Sequence, residues 1–314
     1  MQMDRRTLLG AGALVGASLA LPRAAVAART SELPLWPGSP PGPGGATGPE
    51  RIGDKGKGAG AVSNISHPRL RLYRPAQPNG AAVLVMGGGG YFRIQIANES
   101  MPACEWLASL GFVAAELYYR MPADGWSRLA PFADAQRAMR LLRAQAGTLG
   151  FTAEKLAILG FSAGGHLAGM TATMPDAPRY QPVDDVDNHS ARPALAGLVY
   201  PVITLRPPFD TTRTKKELIG ATPSPQDVAE WSVETHVDAR TPPTFLAQAA
   251  DDPIAPIDNS LLMFDALRKA GTPREMHVFQ EGGHGWGMGE RGSDVAQWPA
   301  LFQGFMARNG FPRS

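Results

Sequence analysis

The chain has 314 residues, 44% of them hydrophobic, and a formal net charge of +2. A chain of this length and composition can bury a full core, which excludes a disordered tail. Its 30 basic and 28 acidic residues balance, and no run of like charge suggests a nucleic-acid partner. The single cysteine, Cys104, excludes an intramolecular disulfide.

The first 27 residues are predicted to be an export signal. Arg5-Arg6 precede an apolar stretch from Leu8 to Leu21, and Ala25-Val26-Ala27 supplies the small residues of a signal peptidase site. The apolar stretch is too short and too rich in glycine for a membrane anchor. The paired arginines predict a twin-arginine signal, and therefore a periplasmic or secreted protein with no anchor after signal removal. A short N-terminal helix is the alternative.

Residues 28–60 are rich in Pro and Gly, which predicts an extended leader over the surface of one catalytic domain at 61–314. Apolar runs predict strands at 70–73, 81–86, 112–117, 156–159, 195–202, 244–249 and 275–279. Helical spacing of apolar or small residues predicts helices at 102–110, 131–146, 163–172, 259–270 and 295–308. This alternation predicts an α/β fold, with a mostly parallel central sheet and helices on both faces.

Ser162, in Gly160-Phe161-Ser162-Ala163-Gly164, is the predicted nucleophile. A buried strand runs directly into this motif, and a helix of small residues begins directly after it. Small neighbours fit the sharp turn that such a serine occupies, and the helix N-terminus brings N–H groups to the place where negative charge develops. The alternative is an ordinary glycine-rich turn between a strand and a helix.

A serine nucleophile needs a base, and the base needs a carboxylate that orients it. His284 is the predicted base, because it lies in a glycine-rich loop after the last predicted strand. Asp251 and Asp252 both follow the strand at 244–249. We prefer Asp252, which opens the sequence Asp-Pro-Ile-Ala-Pro, and expect Asp251 to stabilise a turn. His166, on the helix after the serine, is expected to be structural or to support the catalytic residues without touching substrate.

Four glycines, Gly87 to Gly90, follow a predicted buried strand and indicate an oxyanion-binding loop. The N–H groups of Gly89 and Gly90, together with that of Ala163, are the predicted donors; a register shifted by one residue is the alternative. A phosphate-binding loop would require a following Lys-Ser/Thr pair. Tyr91-Phe92-Arg93 stands there instead.

Several short motifs occur in a fixed order along the chain. They are Leu35-Trp36-Pro37-Gly38, the glycine run ending in Tyr91, Tyr119-Arg120-Met121-Pro122, Asp134-Ala135-Gln136-Arg137-Ala138, Gly160 to His166, Thr241 to Leu246, Asp251-Asp252-Pro253 and Gly282-Gly283-His284-Gly285. The set resembles the acetyl-xylan-esterase-like branch of the α/β-hydrolases, which is related to the hormone-sensitive-lipase type. The resemblance covers nearly all of the chain after the predicted signal. It implies an α/β-hydrolase fold and a serine esterase without metal or cofactor, acting on small esters or acetylated saccharides.

The chain departs from that family's pattern at three places. Gly87 stands where Pro or His is common, Gln248 where His is common, and Asn98-Glu99-Ser100 where His-Glu-Gly is frequent. None of these positions is a predicted triad residue. The departures therefore concern the acyl pocket and the choice of substrate.

Three aromatic residues, Tyr91, Tyr200 and Trp286, are expected to bind substrate, because sugars stack on flat apolar faces; packing in the core is the alternative. Two other functions are considered. A prolyl-oligopeptidase-type peptidase shares the triad, but it usually carries a large preceding domain for which this chain has no room. A non-catalytic ligand-binding α/β-hydrolase is disfavoured because such proteins often lose a triad residue, and all three are present here.

Overall fold

A central eight-stranded sheet organises residues 29–313, the part of the chain that the computed structural model describes. The predicted export signal lies outside these residues. The strands are β1 (Arg29–Pro34), β2 (Arg51–Ile52), β3 (Val62–Ser63), β4 (Arg69–Arg74), β5 (Gly80–Met86), β6 (Val113–Tyr118), β7 (Phe151–Phe161), β8 (Ala196–Val199), β9 (Thr244–Ala249) and β10 (Arg274–Phe279). Their order in the main sheet is β1-β4-β6-β5-β7-β8-β9-β10, while β2 and β3 form a separate pair.

Helices connect the strands and cover the sheet. They are α1 (Met101–Ser109), α2 (Ala130–Ala144), α3 (Ala146–Leu149), α4 (Ala163–Thr173), α5 (Arg213–Ile219), α6 (Pro225–Glu230), α7 (Asp258–Lys269) and α8 (Trp298–Arg308). Short 3₁₀ turns lie at Gly56–Gly58, Pro122–Asp124, Asp185–Asn188, Val233–His236 and Asp294–Gln297, and a π-helical turn lies at Ile96–Ser100. Across residues 29–313, none of these helices has the length and apolarity required to cross a membrane.

Two apolar cores lie on the two faces of the sheet. Strand β5 contributes alternately to both: Ala82, Leu84 and Met86 belong to one core, and Ala81, Val83 and Val85 to the other. The first core is completed by α2, α4 and α7, and the second by α1 and α8. Because β5 is buried on both faces, its sequence is continuously apolar rather than alternating.

The predicted α/β class is confirmed. Strands β5 to β10 pair in parallel, whereas β1 and β4 add an antiparallel edge. The predicted boundaries differ in places. Strand β7 starts five residues before the predicted 156–159, β8 covers only part of 195–202, and the helix predicted at 131–146 divides into α2 and α3.

The Pro/Gly-rich segment is more closely integrated than the expected surface leader. Strand β1 pairs with β4 and is thus part of the main sheet. After it, the Trp36 indole N–H donates to Asp134 Oδ1 at 2.9 Å, and Arg120 Nη1 donates to the Pro41 carbonyl at 2.7 Å. Arg120 and Asp134 form an ion pair whose side chains are both 0% exposed. These contacts fix the segment to the catalytic core.

Candidate active site

The predicted nucleophile lies on a sharp turn between β7 and α4. Ser162 has φ 52° and ψ −119°, a strained conformation for a residue with a side chain, and is 8% exposed. A Cβ at Gly160 would lie 2.2 Å from the Gly164 carbonyl oxygen, and one at Gly164 would lie 2.2 Å from that of Met86. The two glycines therefore allow the close approach of strand and helix that the turn requires.

A chain of hydrogen bonds joins the three predicted triad residues. Ser162 Oγ lies 2.7 Å from His284 Nε2, and His284 Nδ1 lies 2.7 Å from Asp252 Oδ2. Ser162 follows β7, Asp252 lies in the loop after β9, and His284 lies in the loop after β10. Since neighbouring parallel strands end at the same edge of the sheet, the topology brings these three loops together.

The structure distinguishes the two candidate carboxylates. Asp252 is 6% exposed and contacts His284, whereas Asp251 is exposed and accepts a hydrogen bond from the Gly283 N–H at 2.8 Å. That N–H donor holds the pKa of Asp251 below its ordinary value. Asp251 thus stabilises the loop that carries His284.

Asp252 is held by further donors. Its Oδ1 accepts from the N–H groups of Ile254 and Ala255 at 2.8 and 2.9 Å, and its Oδ2 accepts from Gln248 Nε2 at 3.0 Å. Gln248 Oε1 in turn accepts from Ser260 Oγ at 2.9 Å. The glutamine found where the family often has histidine therefore orients the carboxylate.

The glycine run forms a loop directly beside Ser162. A Cβ at Gly88 would lie 2.7 Å from Ser162 Cβ, and Gly89 and Gly90 have φ of +117° and +63°. The Gly88 N–H donates to Glu99 Oε2 at 2.6 Å and is therefore occupied. Within residues 29–313, the N–H groups of Gly89, Gly90 and Ala163 have no hydrogen-bond acceptor. They are the donors that the sequence predicts for an oxyanion.

Two of the three predicted substrate-binding aromatic residues need correction. Tyr91 and Tyr200 are both 0% exposed, so neither presents a ring face to a substrate. Their hydroxyls instead form internal hydrogen bonds, with His166 Nδ1 at 2.9 Å and with Glu99 Oε1 at 3.1 Å respectively. The sequence does not distinguish the two roles, because a tyrosine beside a site can equally form its supporting wall.

Trp286 is partly exposed, and its role in binding substrate stays a prediction. Its ring packs edge-on against Tyr200, with centroids 4.5 Å apart, and against Phe279. Its indole N–H is buried and has no acceptor within the described part of the chain. The side chain thus sits at the boundary between the core and the site.

His166 is structural, in agreement with the sequence. It is 0% exposed, and its Nε2 lies 2.8 Å from the Trp231 carbonyl while Nδ1 faces the Tyr91 hydroxyl. Burial lowers the pKa of His166 to about 4, because the charged imidazole loses its hydration. A neutral ring satisfies both contacts, with Nε2 as donor and Nδ1 as acceptor.

Glu99 is a residue of the site region to which the sequence analysis gave no role. It is 3% exposed and lies in the π-helical turn Ile96–Ser100, which begins six residues after the last glycine of the loop. Burial raises the pKa of Glu99 above its ordinary value, partly offset by the Gly88 N–H and by the nearby His284. The available signal was that Asn98-Glu99-Ser100 keeps the glutamate of the frequent His-Glu-Gly sequence. Over residues 29–313, no group of three or more His, Cys, Asp or Glu side chains is arranged to hold a metal ion.

The fold and the geometry of this site define an α/β-hydrolase. The BD-FAE family model matches residues 70–267. The chain is 28% identical over 232 residues to an acetylxylan esterase of Xylanibacter ruminicola. The matched region covers 73% of this chain and 45% of that protein. The chain therefore spans less than half of that relative. The chain belongs to the BD-FAE family.

Solved structures resemble the chain over more of their length. An acetyl ester-xyloside bifunctional hydrolase from Caldicellulosiruptor lactoaceticus has a TM-score of 0.76 and 35% identity, covering 91% of this chain and 98% of that one. An esterase from Thermogutta terrifontis with bound propionate has a TM-score of 0.67 and 28% identity, covering 80% and 93%. The predicted resemblance to the acetyl-xylan-esterase-like α/β-hydrolases is confirmed.

Proposed function

We propose that this chain is a serine carboxylic ester hydrolase that acts through Ser162, His284 and Asp252. The observation that carries the proposal is the hydrogen-bonded series of these three side chains, with 2.7 Å at each step. It lies beside backbone N–H groups that have no acceptor within the described residues. A nucleophile, its base, an orienting acid and a place for the oxyanion are the parts that acyl transfer requires.

In the acylation step, Ser162 Oγ attacks the ester carbonyl carbon while its proton passes to His284 Nε2. The N–H groups of Gly89, Gly90 and Ala163 stabilise the oxyanion of the tetrahedral intermediate. When this intermediate collapses, the bond to the alcohol oxygen breaks and the alcohol leaves with the proton from His284.

In the deacylation step, water attacks the acyl-enzyme and gives its proton to His284. Collapse of the second intermediate releases the acid and returns the proton to Ser162 Oγ. In both steps Asp252 accepts from His284 Nδ1–H, which fixes the tautomer of the ring and stabilises the imidazolium.

For the substrate we propose an acetylated carbohydrate or another short-chain ester. The names of the relatives support this choice, because one is an acetylxylan esterase and another an acetyl ester-xyloside hydrolase. The structure with bound propionate also supports a short acyl group. No relative described above is a peptidase, so the prolyl-oligopeptidase alternative is not favoured.

We also propose that the enzyme is exported by a twin-arginine signal at residues 1–27 and acts in the periplasm or outside the cell. The motifs of that segment support this proposal. Fractionation of cells that express the full chain and a variant with Arg5 and Arg6 changed to Lys tests it. Loss of export in the variant is expected, and equal export of both would refute the proposal.

The catalytic proposal is tested with wild type and Ser162→Ala on p-nitrophenyl acetate, p-nitrophenyl octanoate, acetylated xylan and a prolyl peptide amide. We expect hydrolysis of the acetyl esters by wild type and its loss in the variant, by a factor of about 10³ or more. Ser232→Ala is the control, since Ser232 is also buried and, within residues 29–313, its hydroxyl bonds only to the backbone of Leu205 and Val228. Full activity of Ser162→Ala would refute the proposal.

A further inference from the structure

Two buried side chains connect the glycine loop to the loop that carries His284. Glu99 Oε2 accepts from the Gly88 N–H at 2.6 Å, and Glu99 Oε1 accepts from the Tyr200 hydroxyl at 3.1 Å. The Tyr200 oxygen accepts in turn from the Gly287 N–H at 3.0 Å. The path therefore runs from the residue before Gly89 to the third residue after His284, entirely through the protein interior.

The turn that carries Glu99 also contacts the His284 loop through the backbone. Gly287 has φ +51°, and a Cβ there would lie 2.1 Å from the carbonyl oxygen of Asn98, the neighbour of Glu99. The Gly287 carbonyl accepts from the Trp298 indole at 2.9 Å. The Tyr200 ring lies edge-on to the His284 ring, with centroids 5.0 Å apart. A shift of Tyr200 would thus move the imidazole.

Only a carboxylate satisfies the donors that meet at Glu99. The Gly88 N–H can only donate, and the Tyr200 hydroxyl directs its single proton at Glu99 Oε1 while its oxygen accepts from the Gly287 N–H. A glutamine side chain has a single acceptor oxygen. It would either direct its NH₂ group at the Gly88 N–H or leave the Tyr200 proton without an acceptor.

We propose that Glu99 is a positioning residue. Through Tyr200 it holds the glycine loop and the His284 loop at the spacing that the reaction requires. This inference rests on the proposed function. Both loops act on the same tetrahedral centre, one through N–H donors and the other through the base. An error of about 1 Å in such a constellation lowers a rate by a factor of about 10².

The variants Glu99→Gln and Tyr200→Phe test this role. Tyr73→Phe is the matched control, because the Tyr73 hydroxyl also donates to a buried glutamate, Glu116, at 3.1 Å, while Tyr73 lies in β4 and in neither of the two loops. We expect kcat for p-nitrophenyl acetate to fall about tenfold in Tyr200→Phe and 10- to 100-fold in Glu99→Gln, with KM within about threefold. Tyr73→Phe should lower Tm about as much as Tyr200→Phe while kcat stays within about twofold.

Amide hydrogen exchange supplies a test that does not depend on activity. Among residues 29–313, the Gly287 N–H is hydrogen-bonded to Tyr200 and not to Glu99, and the Gly88 N–H is hydrogen-bonded to Glu99 and not to Tyr200. If the two loops are linked, Glu99→Gln speeds exchange at Gly287, and Tyr200→Phe speeds exchange at Gly88, whereas Tyr73→Phe changes neither.

The outcomes separate this inference from the proposed function. Full activity in Ser162→Ala would refute the function, while the exchange rates would still decide whether the loops are linked. If Ser162→Ala is inactive but kcat of Tyr200→Phe equals that of Tyr73→Phe, the positioning role is wrong. Unchanged exchange at both glycines would overturn it as well.

Discussion

Replacement of His166 by glutamine should reduce the amount by which the free energy of unfolding falls in acid. The ring is buried, its Nε2 lies 2.8 Å from the Trp231 carbonyl, and its Nδ1 lies 2.9 Å from the Tyr91 hydroxyl. Burial lowers the pKa of His166 from 6.5 to about 4, and the nearby Arg179 acts in the same direction. The folded protein therefore keeps this histidine neutral.

The sign and size of the effect follow from this difference. Between pH 6.5 and about 4 the unfolded chain binds a proton at this position that the folded chain does not, so the free energy of unfolding falls as pH falls through that window. One pKa unit corresponds to about 1.4 kcal/mol. From pH 7 to pH 5, His166 should thus cost wild type about 2 kcal/mol.

Urea unfolding followed by tryptophan fluorescence at pH 7 and pH 5 measures this loss. Between pH 7 and pH 5, the free energy of unfolding of wild type should fall by about 2 kcal/mol more than that of His166→Gln. The control His189→Gln, a change at an exposed histidine, should behave like wild type. The buried carboxylates Glu99 and Glu116 have raised pKa values and act in the opposite direction, but they do so in all three proteins. Equal pH dependence in wild type and His166→Gln would refute the neutral buried imidazole.

Two further predictions concern the site itself. Asp252→Asn should lower kcat for p-nitrophenyl acetate by a factor of about 10³ to 10⁴ with the circular dichroism spectrum unchanged, whereas Asp251→Asn should stay within about tenfold; equal losses would contradict the distinction between the two carboxylates. Gly88→Ala should abolish activity and lower Tm, because its Cβ would lie 2.6 Å from the Phe161 carbonyl oxygen and 2.7 Å from Ser162 Cβ. Gly147→Ala, where nothing lies within 4 Å, is its control in a Tm and activity measurement, and similar behaviour of the two variants would contradict the close approach.

Much of the fold could be predicted because its central strands are buried on both faces. The continuous apolar run of β5 and the strand–serine–helix order around Ser162 carry that information locally. Strand β1 could not be predicted in this way. Its residues are mostly exposed, so they lack an apolar pattern, and the strand forms only because β4 offers an unpaired edge.

The site residues also differ in whether a local sequence pattern marks them. Ser162 and His284 are set in local motifs that the sequence shows directly, and the hydrogen bond to Asp252 is compatible with its position after β9. The roles of Glu99 and Tyr200 depend on contacts between residues 101 positions apart. Such long-range pairing has no local pattern. The sequence therefore could not show that the Tyr200 hydroxyl bonds to Glu99 and that its ring does not face substrate.

Strand β1 has a practical consequence for engineering this domain. A truncated protein that begins at residue 61 would keep every predicted catalytic residue, yet it would strip β1 from the backbone of β4. It would also remove the Trp36 donor from the buried Asp134 carboxylate. The bared strand would then offer its hydrogen-bonding groups to another copy, a recognised route to aggregation. Fusion proteins and domain swaps should accordingly retain the chain from Arg29 onward.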